Sequence, residues 1–400
     1  MKPRWRILIV LSESPARGAR LASSANTDLP SLDVALLAAQ LIRLGAEVRV
    51  MDQAAERISP RTVRREAAWW KPELTILHAG GEAADDDPVP DAAPLQELLG
   101  GRGLSGRLFA AGPLAEHYAL ELLDRFDALD GVLLGAPSAE LLSDTPESAP
   151  GVQGRGQAPV SPHPLSEDLA AVLPAWHAFP LDAYPGRGGL RSARVAVSGA
   201  DPERDLMEIR HAVLRAGARF LQFECRDVGA HPEGMQRVAR AMFGAAPGVG
   251  WACRLRADHV EPAFALALAR GGCHEVVLLS PEARSAPGLA PMDDAHRGRI
   301  ESAVETLKAT GVSVAVEFVI GRPGQDRAQL LAWQRWFADR QIAVRPQVFV
   351  MQGGMRGPGS PTLDEALERA GCWDNELRTV HIEKAVRGLG WHVGASSAAS

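Results

Sequence analysis

Short, largely apolar segments separated by helix-length stretches constrain this chain more than any other feature. Ile7-Leu8-Ile9-Val10-Leu11 is an uninterrupted one, and further strand-length segments lie at 47–51, 74–78, 108–111 and 132–134. Strands without a polar alternation are buried on both faces, which happens in parallel sheets covered by helices. The stretches between them read as helices, one over about 31–44 stopped at Gly45 and one over about 60–70. Five strands with crossover helices predict a doubly wound, Rossmann-like α/β domain over residues 1–145, with ligands at the carboxyl ends of the strands.

Residues 146–189 are rich in Pro, Gly and Ser and read as a linker. Alternation then resumes, with strands at 194–197, 220–225, 250–255, 275–279, 314–320 and 343–350. Helices centre on 203–216, 232–243, 261–270, 295–310 and 326–340. Six strands are too few to close an eight-fold barrel, so residues 190–360 predict a partial (β/α)6 barrel. Residues 361–400 read as a helical segment, with a helix pair over 362–389, followed by a disordered tail.

With 23% charged residues and a net charge of −6, nothing points to a nucleic-acid partner. No apolar run is long enough to span a membrane, and the basic N-terminus precedes too few apolar residues for a signal peptide. The four cysteines, Cys225, Cys253, Cys273 and Cys372, are scattered, which fits a reducing cytoplasm better than a disulfide framework. No metal-ligand spacing appears among the eleven histidines, so no metal site is expected.

Several segments, in order and spacing, resemble the cobalamin (B12)-binding-domain radical-SAM family. In the first domain these are residues 29–38, Gly45-Ala46-Glu47-Val48-Arg49-Val50-Met51-Asp52, and Ala111-Gly112-Pro113 in place of the family's Gly-Gly-Pro. Gly135-Ala136-Pro137-Ser138 replaces its Gly-Glu-Gly-Glu, and Leu173-Pro174-Ala175-Trp176 with residues 179–184 resembles its inter-domain linker. In the second, residues 251–258, Gly272-Cys273 and Gly321-Arg322-Pro323-Gly324 resemble its third strand, the approach to its fourth and the turn after its fifth. The resemblance covers about residues 1–350 and implies an N-terminal five-stranded cobalamin-binding domain followed by a radical-SAM-type partial barrel.

The departures fall on the chemistry. The family carries a CxxxCxxC loop after its first barrel strand, whose three thiolates hold a [4Fe–4S] cluster. This chain runs from Val197 through Ser198-Gly199-Ala200-Asp201 straight into a helix, which reads as deletion of that loop. Leu278-Leu279-Ser280-Pro281-Glu282 stands where the family has a SAM-holding Gly-Ile-Glu-Ser, and Gln352-Gly353-Gly354-Met355 replaces its late Pro-Gly-Thr turn. The expectation is therefore a degenerate member with no [4Fe–4S] cluster, with SAM not retained and no 5′-deoxyadenosyl radical made by this chain alone. Cys225 and Cys253 are expected on adjacent strands and Cys273 at the opposite end of the barrel, as core cysteines.

Cobalamin contacts implied by the resemblance are Ser12, Glu13, His78, Gly80, Gly81, Gly112, Pro113, Gly135 and Ser138. No Asp-x-His-x-x-Gly loop offers an imidazole to cobalt, His78 is equally an ordinary strand-end histidine, and the alternative for the whole domain is an empty scaffold. No GxGxxG follows the first strand, which argues against a dinucleotide. The barrel mouth keeps Ser198, Asp201, Glu224, Arg226, Asp227, Arg254, Arg256, Glu317, Arg322 and Gln347. Glu317 lies in an otherwise apolar strand and needs a partner, Arg254 or Arg256. Glu317, Glu224 and Arg256 are the candidate catalytic residues; the competing reading is an ion-pair lattice within a degenerate barrel. Trp69-Trp70 and the Trp333/Trp336 pair read as packing or interface residues.

Two functions follow as expectations. The first is a cobalamin-binding accessory subunit of an active radical-SAM or methyl-transfer partner. The second is a cobalamin-dependent, non-radical enzyme, such as a methyl transferase, that takes a small-molecule ligand in a remodelled polar barrel. A cofactor-free binding or light- and redox-sensing module is the third possibility.

Overall fold

The computed structural model describes residues 5–11, 29–78, 98–99, 104–112, 115–116, 118–184, 186, 189–225, 227–279, 294–320 and 327–348. Residues 5–11 and 30–184 belong to one compact unit, and the described residues from 186 to 348 to another. The segments expected at 361–400, including the helix pair at 362–389, lie outside the described residues.

The first unit is built on β1 (Arg6–Leu11), β2 (Glu47–Asp52), β3 (Leu74–His78), β4 (Arg107–Ala111), β5 (Gly131–Leu133) and β6 (Val152–Gly154). They form one sheet in the order β2-β1-β3-β4-β5-β6. The first five are mutually parallel and β6 runs antiparallel to β5. Ile7, Leu8, Ile9 and Val10 are buried because helices cover both faces of the central strand. α1 (Leu32–Arg43) is capped by the Ser31 hydroxyl, which accepts the Val34 N–H. α2 (Pro60–Trp70) starts on a proline behind a Ser59 cap, and α3 (Ala119–Arg125) follows β4. Trp70 packs against the core, whereas Trp69 is exposed.

Composition misleads at residues 146–184. Instead of a plain linker, the segment carries β6, a helical turn at Glu167–Ala170 and 3-10 turns at Trp176–Ala178 and Leu181–Ala183. Trp176 is fully buried, and the Tyr184 hydroxyl donates to Asp52 Oδ2 at 2.8 Å. Prolines and glycines here shape turns that lie against the sheet.

The second unit contains β7 (Ser192–Val195), β8 (Phe220–Phe223), β9 (Gly250–Arg256), β10 (Cys273–Leu279), β11 (Ser313–Ile320) and β12 (Ala343–Val348). All neighbours are parallel and sequential, β7 to β12, as in a partial (β/α)6 barrel. Between them run α4 (Pro202–Arg215), α5 (Pro232–Ala245), α6 (Pro262–Arg270), α7 (Asp294–Lys308) and α8 (Arg327–Asp339). The first three begin on proline, whose fixed φ suits the first helical position. β7 begins and ends two residues earlier than the expected strand at 194–197. Val197, though buried, turns back so that its N–H bonds to Val195 O at 2.9 Å.

One face of this sheet packs on helices. Phe223 and Trp251 stack at 4.5 Å, and Trp251 Nε1 donates to Gly271 O at the end of α6. The opposite parity faces the barrel interior. Register places Arg194, Gln222, Ala252, Glu275 and Ser313 side by side in one row of that face. Two residues further along the strands, the row contains Arg254, Val277, Ala315 and Ala343. The next contains Arg256, Leu279 and Glu317.

Candidate functional site

In the first unit the strand order reverses between β1 and β3. Open α/β sheets of this order bind ligands in the crevice outside the carboxyl ends at that reversal. Leu11 and His78 end the two strands as register partners, so the loops at Ser12 and Ala79 border the crevice in sequence. Ser12, Glu13, Gly80, Gly81 and Pro113 lie outside the described residues. His78 is buried at the strand end. Gly112 adopts φ +94°, which favours glycine, and its carbonyl accepts the Glu116 N–H. Ser138 is buried ahead of the 3-10 turn Ala139–Leu142.

Gly135 has a different use from the expected ligand contact. It bridges His163, and a Cβ on it would lie 2.5 Å from His163 O. Ala136 N donates to His163 O, and His163 N donates to Leu134 O. The bare backbone of this glycine is thus covered by the chain itself. His78, Gly112 and Ser138 are the other expected contact residues that lie among the described residues.

Arg194 and Arg254 of the barrel interior each lie beside a carboxylate distant in sequence. Arg194 Nε lies 3.6 Å from Glu224 Oε1, with both side chains buried. Arg254 Nε lies 3.8 Å from Glu317 Oε2, which makes Arg254 the partner of the strand-borne carboxylate. Arg256 is directed elsewhere: its Nε and Nη2 donate to Asp258 Oδ1 and Oδ2 at 2.8 and 2.6 Å. That fork holds the Asp258 carboxyl below its usual range. Glu317, Glu224 and Arg256 therefore do not converge through these pairs; they sit in three separate ones. Glu275 joins Arg194 in the first row as a further buried carboxylate.

The loop after β7 is held from below by α4. Glu208 Oε2 accepts the Ala196 N–H at 3.0 Å, and Asp205 Oδ2 accepts the Gly199 N–H at 2.7 Å. Burial raises both carboxyls above their ordinary values, against the lowering effect of those backbone N–H groups. Gly199 takes φ +80°, and a Cβ at Gly234 of α5 would collide with Gly199 O. Strand and helix are joined with no slack.

Cys273 is not at the far end of the barrel from Cys253. A register shift between Cys273 and Glu275 sets Cys273 opposite Trp251, on the same side of the sheet as Cys253. The two thiols interact, and this contact together with burial raises the Cys253 thiol well above its ordinary value. Among the described residues no group of three or more His, Cys, Asp or Glu side chains is arranged to hold a metal ion. Among them, too, no helix is long and apolar enough to cross a membrane.

At the C-terminal mouth Asp227, a residue expected there, has a partner that no motif marked. Asp227, buried in the loop after β8, lies with Oδ2 2.8 Å from Nδ1 of His259, in the turn after β9. They are separated by a whole β/α unit, so only the fold brings them together.

No protein-family model matches the chain, and no curated protein matches it. Solved structures do. The radical S-adenosylmethionine methyltransferase TsrM from Kitasatospora setae, with cobalamin and [4Fe-4S] cluster bound, superposes with a TM-score of 0.60 at 14% identity, over 92% of this chain and 81% of that one. A second TsrM structure, with tryptophan substrate and SAM analog bound, gives 0.58 at 16% identity, over 86% and 73%. The cobalamin-dependent S-adenosylmethionine radical enzyme OxsB, with aqua-cobalamin and S-adenosylmethionine bound, gives 0.60 at 10% identity, over 95% of this chain. This chain spans 56% of OxsB. At these identities the likeness establishes the fold: a Rossmann-like domain followed by a partial barrel, as in cobalamin-dependent radical-SAM enzymes.

Proposed function

We propose that this chain is a cluster-free, cobalamin-binding protein of radical-SAM-like architecture. It serves as an accessory subunit to an active radical-SAM or methyl-transfer partner and does not itself generate the 5′-deoxyadenosyl radical. One observation carries the reading. The β7–α4 connection has no cysteine, and its backbone is already committed to Asp205, Glu208 and the close approach of Gly234. A cluster needs three converging thiolates, and this loop supplies neither ligands nor spare length. Without that iron, reductive cleavage of SAM has no electron donor at the site.

The cobalamin part rests on the β1/β3 crevice and on the likeness to structures that hold the group. The loops beginning at Ser12 and Ala79, with Gly80, Gly81, His78, Gly112, Pro113 and Ser138, would hold it. Bound there, a corrin supplies a cobalt able to carry a methyl group. The chain's own part would be to seat the ring at the strand ends.

The test is a UV–visible spectrum after incubation with hydroxocobalamin and desalting, with cobalt and iron assayed on the same sample. Corrin bands retained with cobalt near one per chain and little iron are expected. Absence of corrin bands removes the cobalamin reading, and stoichiometric iron removes the cluster-free one.

A second reading, a cobalamin-dependent non-radical enzyme, is favoured by the charged barrel interior, where Arg194–Glu224 and Arg254–Glu317 are buried pairs. A Glu317→Gln variant that folds normally but loses methyl transfer from methylcobalamin to a candidate acceptor would select it over the accessory role.

A further inference from the structure

We infer that Asp227 and His259 form a proton-transfer site at the C-terminal mouth of the barrel. It would act on a small polar molecule that presents an ionisable O–H or N–H. The inference does not depend on whether the first domain binds a corrin.

Three features of the pair carry it. First, the carboxylate is fixed by the backbone. Asp227 Oδ1 accepts the Gly229 N–H at 3.0 Å and the Arg256 N–H at 3.2 Å, which leaves Oδ2 to face His259. Second, the ring is held on another side by a glycine. A Cβ at Gly229 would lie 2.6 Å from His259 Cβ and 3.0 Å from its Nδ1, so the 228–230 turn lies directly against the imidazole. Nδ1 lies 2.8 Å from Oδ2, with its N–H directed off the line to that oxygen. Third, the exposure is divided: Asp227 is 4% exposed and His259 37%. The base is therefore open to solvent and its anchor is not.

A buried carboxylate at Nδ1 selects the Nδ1–H tautomer and leaves Nε2 as the base, as in carboxylate–imidazole pairs on unrelated folds. Nε2 takes the proton, and the electron pair of the broken O–H or N–H bond stays on the substrate heteroatom. The imidazolium later returns the proton to product or water. The location agrees, because chemistry in β/α barrels occurs at the carboxyl ends of the strands. Beside the ring, the Arg256–Asp258 fork fixes the rim.

The experiment uses full-length protein with ¹⁵N-labelled histidine. Long-range ¹H–¹⁵N correlation reads the tautomer of His259, and peptide mapping reads its reaction with diethyl pyrocarbonate, in which Nε2 attacks a carbonyl and ethanol and carbon dioxide leave. We expect the Nδ1–H tautomer and carbethoxylation at Nε2. In Asp227→Asn the two backbone N–H groups hold the amide oxygen at the Oδ1 position, so the NH2 faces Nδ1 and forces the Nε2–H tautomer. Carbethoxylation of His259 should then fall about tenfold or more while the fold is kept. Gly229→Ala, whose methyl would press on the ring while both side chains of the pair are kept, should slow it similarly. An Nε2–H tautomer in the parent protein, or a His259 rate unchanged in both variants, overturns the inference.

Discussion

Glu208 of α4 accepts the N–H of Ala196, the first residue past β7, at 3.0 Å from a buried position. Arg204, one turn earlier, reaches the other carboxylate oxygen at 3.5 Å. Desolvation dominates and raises the Glu208 carboxyl above its ordinary 4.5. A carboxyl with a raised folded-state pKa binds protons more readily folded than unfolded. Its favourable contribution is present below 4.5 and is lost as pH rises through the folded value. In Glu208→Gln the amide oxygen keeps the Ala196 bond without the charge. Chemical denaturation across pH should show a shallower loss of stability above 4.5 in this variant and equal or greater stability at neutral pH. Glu208→Ala should cost about 1–3 kcal/mol by leaving the N–H without an acceptor.

Gly234 tests the other half of the same junction. Backbone oxygen of Gly199 occupies the space a methyl group would need, and backbone cannot rotate away as a side chain can. Gly234→Ala should destabilise the second unit by about 3 kcal/mol or more, read as a lowered thermal midpoint. Gly244→Ala, on the same helix with open space around it, should be neutral or slightly stabilising.

The pair Arg254–Glu317 should behave as a unit. Replacing Arg254 by Met removes compensation from a carboxylate that is 7% exposed and should cost about 3 kcal/mol. Adding Glu317→Leu should recover much of that loss, because an apolar pair of similar volume has no charge to desolvate. A strictly additive double-mutant cycle would show that the two side chains are energetically independent.

In the first unit, Tyr184 donates to an Asp52 that also caps the helical turn Gln53–Glu56 through Ala54 and Ala55 N–H. Tyr184→Phe should lower stability by about 1–3 kcal/mol, read by urea unfolding, since it deletes a buried hydrogen bond to a charged group. Far-UV circular dichroism should be unchanged.

Where an element announced itself in the sequence, burial on both faces was the reason. The run Leu74–His78 has matching ends in sequence and structure, because every residue of this parallel strand is buried. β6 left no such mark: Val152-Gln153-Gly154 is too short to show a period and sits among turn residues. The position of Cys273 depended on a register shift that no residue pattern announces. Glu317 was conspicuous as a charge in an apolar strand. Its choice of Arg254 over Arg256 was not, because Asp258 two residues on captures Arg256 locally. Asp227 and His259 belong to different β/α units and follow no fixed spacing, so only three-dimensional proximity reveals them.

Gln153 gives β6 an outer neighbour that is not a strand. Its amide nitrogen reaches Gly154 O, Gln157 O and Ala158 O, and its carbonyl accepts the Val160 N–H. One side chain thus occupies hydrogen-bonding groups of the returning chain that would otherwise face water. A segment with the composition of a cleavable tether is in this way made a poor protease substrate, because cutting it requires these bonds to open together. Limited digestion of the native protein should spare residues 152–160, and Gln153→Ala should expose them.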